Sequence, residues 1–357
     1  MTKIKLALLG CGDVAQRDYL PEFHRVADRA ELVAVCTRSA TRMQEVMRRY
    51  AIPHGYTDYR RMLAESEADA VINLTPIPLH QEINLAILES GRHLFSEKPV
   101  ASSSRAAKQL AELAEARSLH ALCAPSIRLF PQMQYVARLV KEGAIGPIYS
   151  ARGYGHWGVP PWPGYFSDPT PFFAADAGPM MDMGVYPLHA LTALLGPVRR
   201  VAAMVTKVQE SFTVAEGPHA GLRVPIEAPD HWQLLLDFGG GCIANVAANA
   251  VVVATRCPPL ELHGLSGTIA FDPIYVQQPV EVLSRGYDWR TVAPPFPNTN
   301  PGRSAGPDHI LGVMHLLDCI EGRCSPQLTI DQAAHVLRVI EAAVESSRTG
   351  HMVESNP

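Results

Sequence analysis

Ile4-Lys5-Leu6-Ala7-Leu8-Leu9-Gly10-Cys11-Gly12-Asp13-Val14-Ala15 is the stretch that decides the fold of this 357-residue chain. A short apolar run ends directly in G-x-G-x-x-A. A polar–apolar segment follows to about Ala27, and a second β-rich run covers 31–36. Strand, glycine turn, helix, strand is the βαβ unit. In that setting Gly10 permits the tight turn, Gly12 lets the backbone approach a pyrophosphate, and Ala15 allows close helix packing, while Asp13 and Val14 open the helix towards the phosphates. The plainer reading is an ordinary βα turn; position and context favour a dinucleotide.

The alternation continues. Residues 41–50 read as helix, 70–74 as a buried strand, 80–90 as helix, 93–96 as strand, 101–117 as helix and 120–123 as strand. Short apolar strands between helices predict a doubly wound parallel sheet covered on both faces, a Rossmann domain over residues 1–124. Beyond it, long alternating segments at 147–155, 198–208, 231–238, 242–253 and 260–263 predict a large, mostly antiparallel sheet in a second domain, 125–357. Gly239-Gly240-Gly241 reads as a hairpin turn, and 309–321 and 330–348 read as closing helices. The fold class expected is α/β plus α+β.

Composition bounds the rest. With 47% hydrophobic and 18% charged residues, the chain can bury a sizeable core and fits about two domains. Its 31 Lys+Arg against 35 Asp+Glu, with no long block of like charge, argue against nucleic acid as main partner. The seven cysteines form neither a CxxC pair nor a Cys/His ladder, which suits reduced thiols in the cytoplasm and predicts no metal centre. Lys3, Lys5 and Leu8-Leu9-Gly10-Cys11 look like an export cleavage box, but the apolar run at 6–9 is short of the ~7–15 residues a signal needs. No stretch reaches the ~18 apolar residues of a span, so no membrane partner is expected.

An acidic residue usually closes the second strand of an NAD site, about 20 residues after the glycines. Cys36-Thr37-Arg38-Ser39 stand there instead. With no carboxylate to repel a 2′-phosphate, Thr37 and Ser39 as donors, and Arg38 able to pair with phosphate and stack on adenine, NADP(H) is favoured over NAD(H). A solvated helix-start arginine is the plainer reading of Arg38.

Three further motifs are Asp69-Ala70-Val71-Ile72-Asn73-Leu74-Thr75-Pro76-x-x-x-His80, Gly91-Arg92-His93-Leu94-x-x-Glu97-Lys98-Pro99 and Asp182-Met183-Gly184-Val185-Tyr186. Together with the glycine turn and a similar ending at 322–353, the chain resembles the Gfo/Idh/MocA oxidoreductases over its whole length. The resemblance implies that Thr75, Pro76, His80, Glu97 and Lys98 join in holding the cofactor and that the Lys98-Pro99 peptide is cis. It also implies self-association into a homodimer or homotetramer. Ile77 stands where many members have Asn.

Lys98 falls just past a parallel strand's carboxyl end, where such sheets bind ligands. Shielded beside a nicotinamide, its ammonium can hydrogen-bond a reacting hydroxyl or carbonyl and stabilise developing alkoxide charge. Asp182, Tyr186 and His189, spaced four and three apart, share one helix face. Family members often carry His where Tyr186 stands; the departure is similar to the branch with glucose–fructose oxidoreductase and dihydrodiol dehydrogenase, where Tyr serves. A tyrosine of ordinary pKa ~10 needs a cation's help near neutrality, and Lys98 can give it. The resulting assignment makes Tyr186 the proton donor/acceptor, Lys98 its electrostatic partner and substrate anchor, and Asp182 a ligand for a substrate hydroxyl. His189 is a relay, a substrate contact, an alternative acid/base or simply a satisfied buried histidine. Trp162, in the aromatic stretch 156–166, can stack on a sugar face or pack a loop, and Arg128 lines the pocket by resemblance.

These readings converge on an NAD(P)-dependent dehydrogenase or reductase acting on a secondary alcohol or ketone of a sugar, cyclitol or related polyol. The rivals are a glycosidase that uses bound NAD transiently and a non-catalytic nucleotide sensor.

Overall fold

β1 (Ile4–Leu9) is flanked by β2 (Ala30–Cys36) and β4 (Ala70–Asn73), and Leu9 lies level with both Cys36 and Asn73. The loops that follow these three strands therefore collect at one edge of the sheet. The computed structural model describes residues 2–156, 158–162, 167–276, 278–284, 288–292 and 306–355. In chain order the first elements are β1, β2, α1 (Ala40–Tyr50), β3 (His54–Tyr56), α2 (Tyr59–Glu65), β4, α3 (His80–Glu89), β5 (His93–Ser96), α4 (Ser104–Ala116) and β6 (Ala121–Cys123). All six strands are parallel, in the doubly wound order β3-β2-β1-β4-β5-β6. Leu6, Ala7 and Leu8 have no exposed surface, which is why this strand is continuously apolar and not alternating.

Two features depart from the sequence reading. The segment after the glycine turn is no regular α-helix but a wide π turn (Ala15–Tyr19) running into a 3₁₀ stretch (Leu20–Val26), where Pro21 lacks the N–H that a continuous α-ladder would use. β3 and α2 went unforeseen because three and seven residues of mixed polarity carry no legible period.

The chain divides into two compact units, Met1–Ser126 with Asp308–Ala334, and Ile127–Pro307 with His335–Pro357. A cut at 124 does not anticipate the return of Asp308–Ala334 to the first unit, since no sequence period says which sheet a helix covers. After α5 (Pro131–Lys141) and α6 (Val185–Leu195) of the second unit, α7 (Ile310–Ile320) lies on β5 and β6 of the first, so close that a Cβ on Gly312 would sit 2.4 Å from the Phe95 ring. Arg25 grips Asp308 through two nitrogens at 2.7 and 3.1 Å, and Arg29 reaches Asp318 at 2.6 Å and also Glu321.

The second unit is built on a nine-stranded sheet. Its strands in chain order are β7 (Ile148–His156), β8 (Arg200–Thr206), β11 (His231–Gly239), β12 (Cys242–Asn249), β13 (Leu260–Gly264), β14 (Gly267–Phe271), β15 (Val280–Ser284), β16 (Arg290–Val292) and β17 (Val353–Glu354), with β9 (Ser211–Thr213) and β10 (Arg223–Pro225) pairing apart. Pairing is antiparallel except between β7 and β12. Gly239, Gly240 and Gly241 all take positive φ in the β11–β12 turn, as a tight hairpin of this hand requires. Along β11, Trp232, Leu234, Leu236 and Phe238 are buried while Leu235 is 53% exposed; Met204 and Ile243 are 77% and 53% exposed on neighbouring strands. Period two thus separates a core face from a second, partly apolar face.

Candidate dinucleotide site and candidate catalytic helix

The glycine turn is built from opposite constraints at its two glycines. Gly10 has φ +90°, and a Cβ there would lie 2.5 Å from the Leu74 carbonyl oxygen, so no side chain fits. At Gly12 a Cβ would meet nothing within 4 Å, while its carbonyl accepts from the Gln16 N–H at 3.1 Å, where the helical turns begin. The backbone there opens on free space at a helix start, and these residues fit a pyrophosphate. Ala15 is wholly buried, Val14 half-buried and Asp13 exposed. Burial and, secondarily, Cys36 push the Cys11 thiol up to about 12, so Cys11 serves as packing.

At the end of β2, the Thr37 N–H donates to the Tyr56 carbonyl at 3.1 Å and its side chain is half-buried. Arg38 is exposed, and Ser39 caps α1 by accepting from Arg42 N–H at 3.3 Å.

The loops after β4 and β5 are held by buried polar groups. Asn73 accepts from both the N–H and the hydroxyl of Thr75, at 3.1 and 2.7 Å, and donates to Asn84 at 2.8 Å. Asn84 in turn donates to the Ser96 hydroxyl at 2.9 Å and the Val100 carbonyl at 2.8 Å. His80, only 1% exposed, places its two ring nitrogens 2.6 Å from the carbonyls of Thr75 and Pro99. Burial lowers its pKa against the pull of those carbonyls and Glu97. His80 thus braces the Thr75 and Pro99 loops, and its ring offers no free nitrogen to a ligand.

Glu97 is spent likewise. Its carboxylate accepts from Tyr19 O–H at 2.7 Å and Lys98 N–H at 3.0 Å, with His309 Nδ1 at 3.5 Å. Burial alone would raise its pKa; His309, Lys98 and Tyr19 outweigh that and hold it at about 2. The His309 ring also lies 3.7 Å from buried Asp18. Thr75 and Lys98 are half-buried and Pro76 is exposed, and the Lys98-Pro99 peptide is cis, as the resemblance implies. Tyr19, Asn84 and His309 escaped the sequence reading, and Asn73 was quoted there in a motif but given no role. Asn73 alone carried a signal, a polar side chain inside a buried strand.

In the second unit Asp182 sits in a π turn (Met180–Gly184) that leads into the helix Val185–Leu195, which carries Tyr186 and His189. Their exposures are 5, 6 and 7%. Small residues set the height of this segment over the sheet. A Cβ on Gly155 would lie 2.6 Å from the Met183 backbone, one on Gly153 2.6 Å from Pro187, and one on Gly184 2.9 Å from Ala248. Burial first, then Arg128 and His335, lower the His189 pKa to about 3, so the ring is neutral near neutrality. Arg128 is half-buried beside it, in the turn Ser126–Leu129.

Trp162 stacks on Phe173, ring centroids 5.4 Å apart at 19°, with Phe172 and Phe212 at 6.3 and 6.4 Å. Its ring therefore works as the wall of an aromatic core, the plainer of its two readings. Residues 157 and 163–166 of the same stretch, and the proline-rich 294–301, lie outside the described residues.

A doubly wound sheet with this glycine turn defines a dinucleotide-binding fold. Residues 4–123 match the model of the oxidoreductase family with an NAD-binding Rossmann fold, and 133–270 match the GFO/IDH/MocA C-terminal domain. The chain belongs to the Gfo/Idh/MocA family. It is similar to a dTDP-3,4-didehydro-2,6-dideoxy-alpha-D-glucose 3-reductase from Saccharopolyspora spinosa, 30% identical over 75% of this chain and 74% of the relative. A levoglucosan dehydrogenase from Pseudarthrobacter phenanthrenivorans is 25% identical over 64% of this chain and 61% of its own length. Across three such relatives the chain covers 54–61% of their length. A solved levoglucosan dehydrogenase, complexed with NADH and levoglucosan, shares the fold with a TM-score of 0.84 at 20% identity and full coverage of both chains.

Proposed function

We propose that this chain is an NAD(P)-dependent oxidoreductase that moves a hydride between nicotinamide C4 and a secondary alcohol or ketone of a sugar, cyclitol or related polyol. The glycine turn carries the reading, with a side chain forbidden at Gly10 and open space over Gly12 at a helix start. When bound, the cofactor accepts or delivers the hydride. Lys98 holds the reacting oxygen and offsets its charge as alkoxide develops, Tyr186 exchanges that oxygen's proton, and Asp182 takes a neighbouring hydroxyl. His189, held neutral near pH 7 and reluctant to take a proton, is a substrate contact and not the acid/base. The sugar-directed relatives support the substrate class.

NADP(H) is the favoured cofactor, on exposed Arg38 and the absence of a carboxylate at 36–39. The exposed apolar residues Met204, Leu235 and Ile243 support self-association through the outer sheet face into a dimer or tetramer. Seven unpaired thiols support a reducing, cytoplasmic setting.

The test is a screen of sugars and cyclitols with NADP⁺ and NAD⁺ in parallel, read by absorbance of the reduced nicotinamide. Turnover of at least one polyol, faster with NADP⁺, is expected. Release of a leaving group with cofactor retained and no net absorbance change marks a glycosidase. Tight nucleotide binding with no turnover marks a sensor, and either result overturns the proposal.

A further inference from the structure

The last turn of α7 holds a cluster outside the site described above. Cys319 is 2% exposed, and the chain then turns through Gly322, φ +71°, to bring Cys324 back over it. The two sulfurs lie 3.9 Å apart. His315, one helical turn before Cys319, places Nδ1 3.5 Å from Cys324 Sγ and Nε2 3.9 Å from Cys319 Sγ. With a spacing of H-x₃-C-x₄-C, the group escapes a search for CxxC, and it corrects the expectation that no such donors converge.

Separations of this size suit a tetrahedral zinc with sulfur ligands at ~2.3 Å. The imidazole argues otherwise. Its Nε2 accepts the Gln327 backbone N–H at 2.8 Å, so the neutral ring carries its hydrogen on Nδ1, pointed at Cys324. A metal on Nδ1 would drive that hydrogen to Nε2, against the Gln327 N–H; a metal on Nε2 would break the same bond. A sulfur that receives an N–H donor suits thiol chemistry instead.

We propose that Cys319 and Cys324 are a reversible dithiol–disulfide pair oxidised by peroxides, with Cys324 the sulfur first attacked. Cys324 is exposed and Cys319 is not. The Cys324 thiol gives its proton to solvent and its sulfur, as thiolate, takes the terminal peroxide oxygen with its hydrogen; the O–O bond breaks, giving a sulfenic acid and an alkoxide, or hydroxide from hydrogen peroxide, which takes a proton back from solvent to leave as alcohol or water. His315 Nδ1–H donates to that sulfur while it carries charge. Cys319 sulfur then attacks the sulfenic sulfur: the S–S bond forms, the S–O bond breaks, and the hydroxyl leaves as water with the Cys319 proton. Two thiols are oxidised and one peroxide is reduced. Closure asks the sulfurs to approach by roughly 2 Å, to the ~2.05 Å of a disulfide. Segment 322–327 is exposed throughout and can supply that movement.

Arg323 separates the two cysteines, so trypsin cuts between them and a disulfide shows as two peptides held together. The full-length protein, treated with hydrogen peroxide and digested without reductant, should yield that linked pair, and dithiothreitol should release it. Cys324→Ser should abolish it. Cys319→Ser should leave Cys324 as a sulfenic acid that dimedone traps. His315→Gln should slow oxidation of Cys324 severalfold while leaving that of Cys257, the other exposed cysteine, unchanged. Cys324 and Cys257 oxidising at equal rates with no linked peptides would overturn the proposal. So would a stoichiometric zinc ion in the purified protein by native mass spectrometry.

Discussion

Burial and the Arg128 guanidinium leave His189 neutral at pH 7, so it lacks the imidazolium proton that a general acid would give. Tyr186→Phe should therefore lower kcat by ~10²–10⁴ with cofactor binding intact, and His189→Asn should cost less, in single-turnover hydride transfer. The reverse ranking would hand the proton to His189. The same histidine sets an acid limit on stability. The unfolded chain binds its proton below about pH 6.5 and the folded chain only near 3, so stability is whole above 6.5 and falls as pH drops through that window. At pH 5 His189→Asn should recover on the order of 2 kcal/mol of that acid-induced loss, read as a smaller drop in unfolding midpoint between pH 7 and 5. For the cofactor, Arg38→Ala should weaken NADP(H) by about 1.5–3 kcal/mol and leave NAD(H) unchanged, by fluorescence titration. Equal loss for both would remove the 2′-phosphate reading.

Elements were legible where one period ran unbroken. β1, β2 and β5 are continuous or nearly continuous apolar runs, and β11 alternates cleanly, so each was found within a residue or two. β14 to β17 and the glycines packed against the segment Met180–Leu195 were not, because short strands and close approach depend on what lies opposite. Of the candidate site, the glycine turn was readable from motif and position, and Lys98 was singled out by its motif and its place after β5. The bracing by His80, Glu97, Tyr19 and His309 was not, for those partners are joined only by folding. The turn itself offers a discriminating pair. Gly10→Ala meets both a positive φ and the Leu74 carbonyl and should cost ~1–3 kcal/mol or more of stability. Gly12→Ala should leave stability within ~0.5 kcal/mol yet weaken the dinucleotide, measured by thermal melts with and without cofactor. Two equally destabilised variants would mean that Gly12 is structural.

At the scale of the whole molecule, the sheet face that carries exposed Met204, Leu235 and Ile243 is the one proposed for self-association. Leu235→Glu places a charge on β11, between β12 and β8 that carry Ile243 and Met204, repeated on each copy across any two-fold axis, and should shift the protein towards monomer in sedimentation at micromolar concentration. An unchanged assembly would place the contact elsewhere.

The return of Asp308–Ala334 to the first unit also bears on how the chain is made. At ~5–20 residues per second, the ribosome needs roughly 10–40 s to add the ~200 residues between Ser126 and Ala334. Throughout that interval the nascent sheet has its six strands but not α7, and the Phe95 surface that Gly312 will cover stands open. Arg25 and Arg29 wait equally long for Asp308, Asp318 and Glu321. The six-stranded sheet thus emerges ahead of the helix that completes its core, and cannot close that core until Asp308–Ala334 has been made.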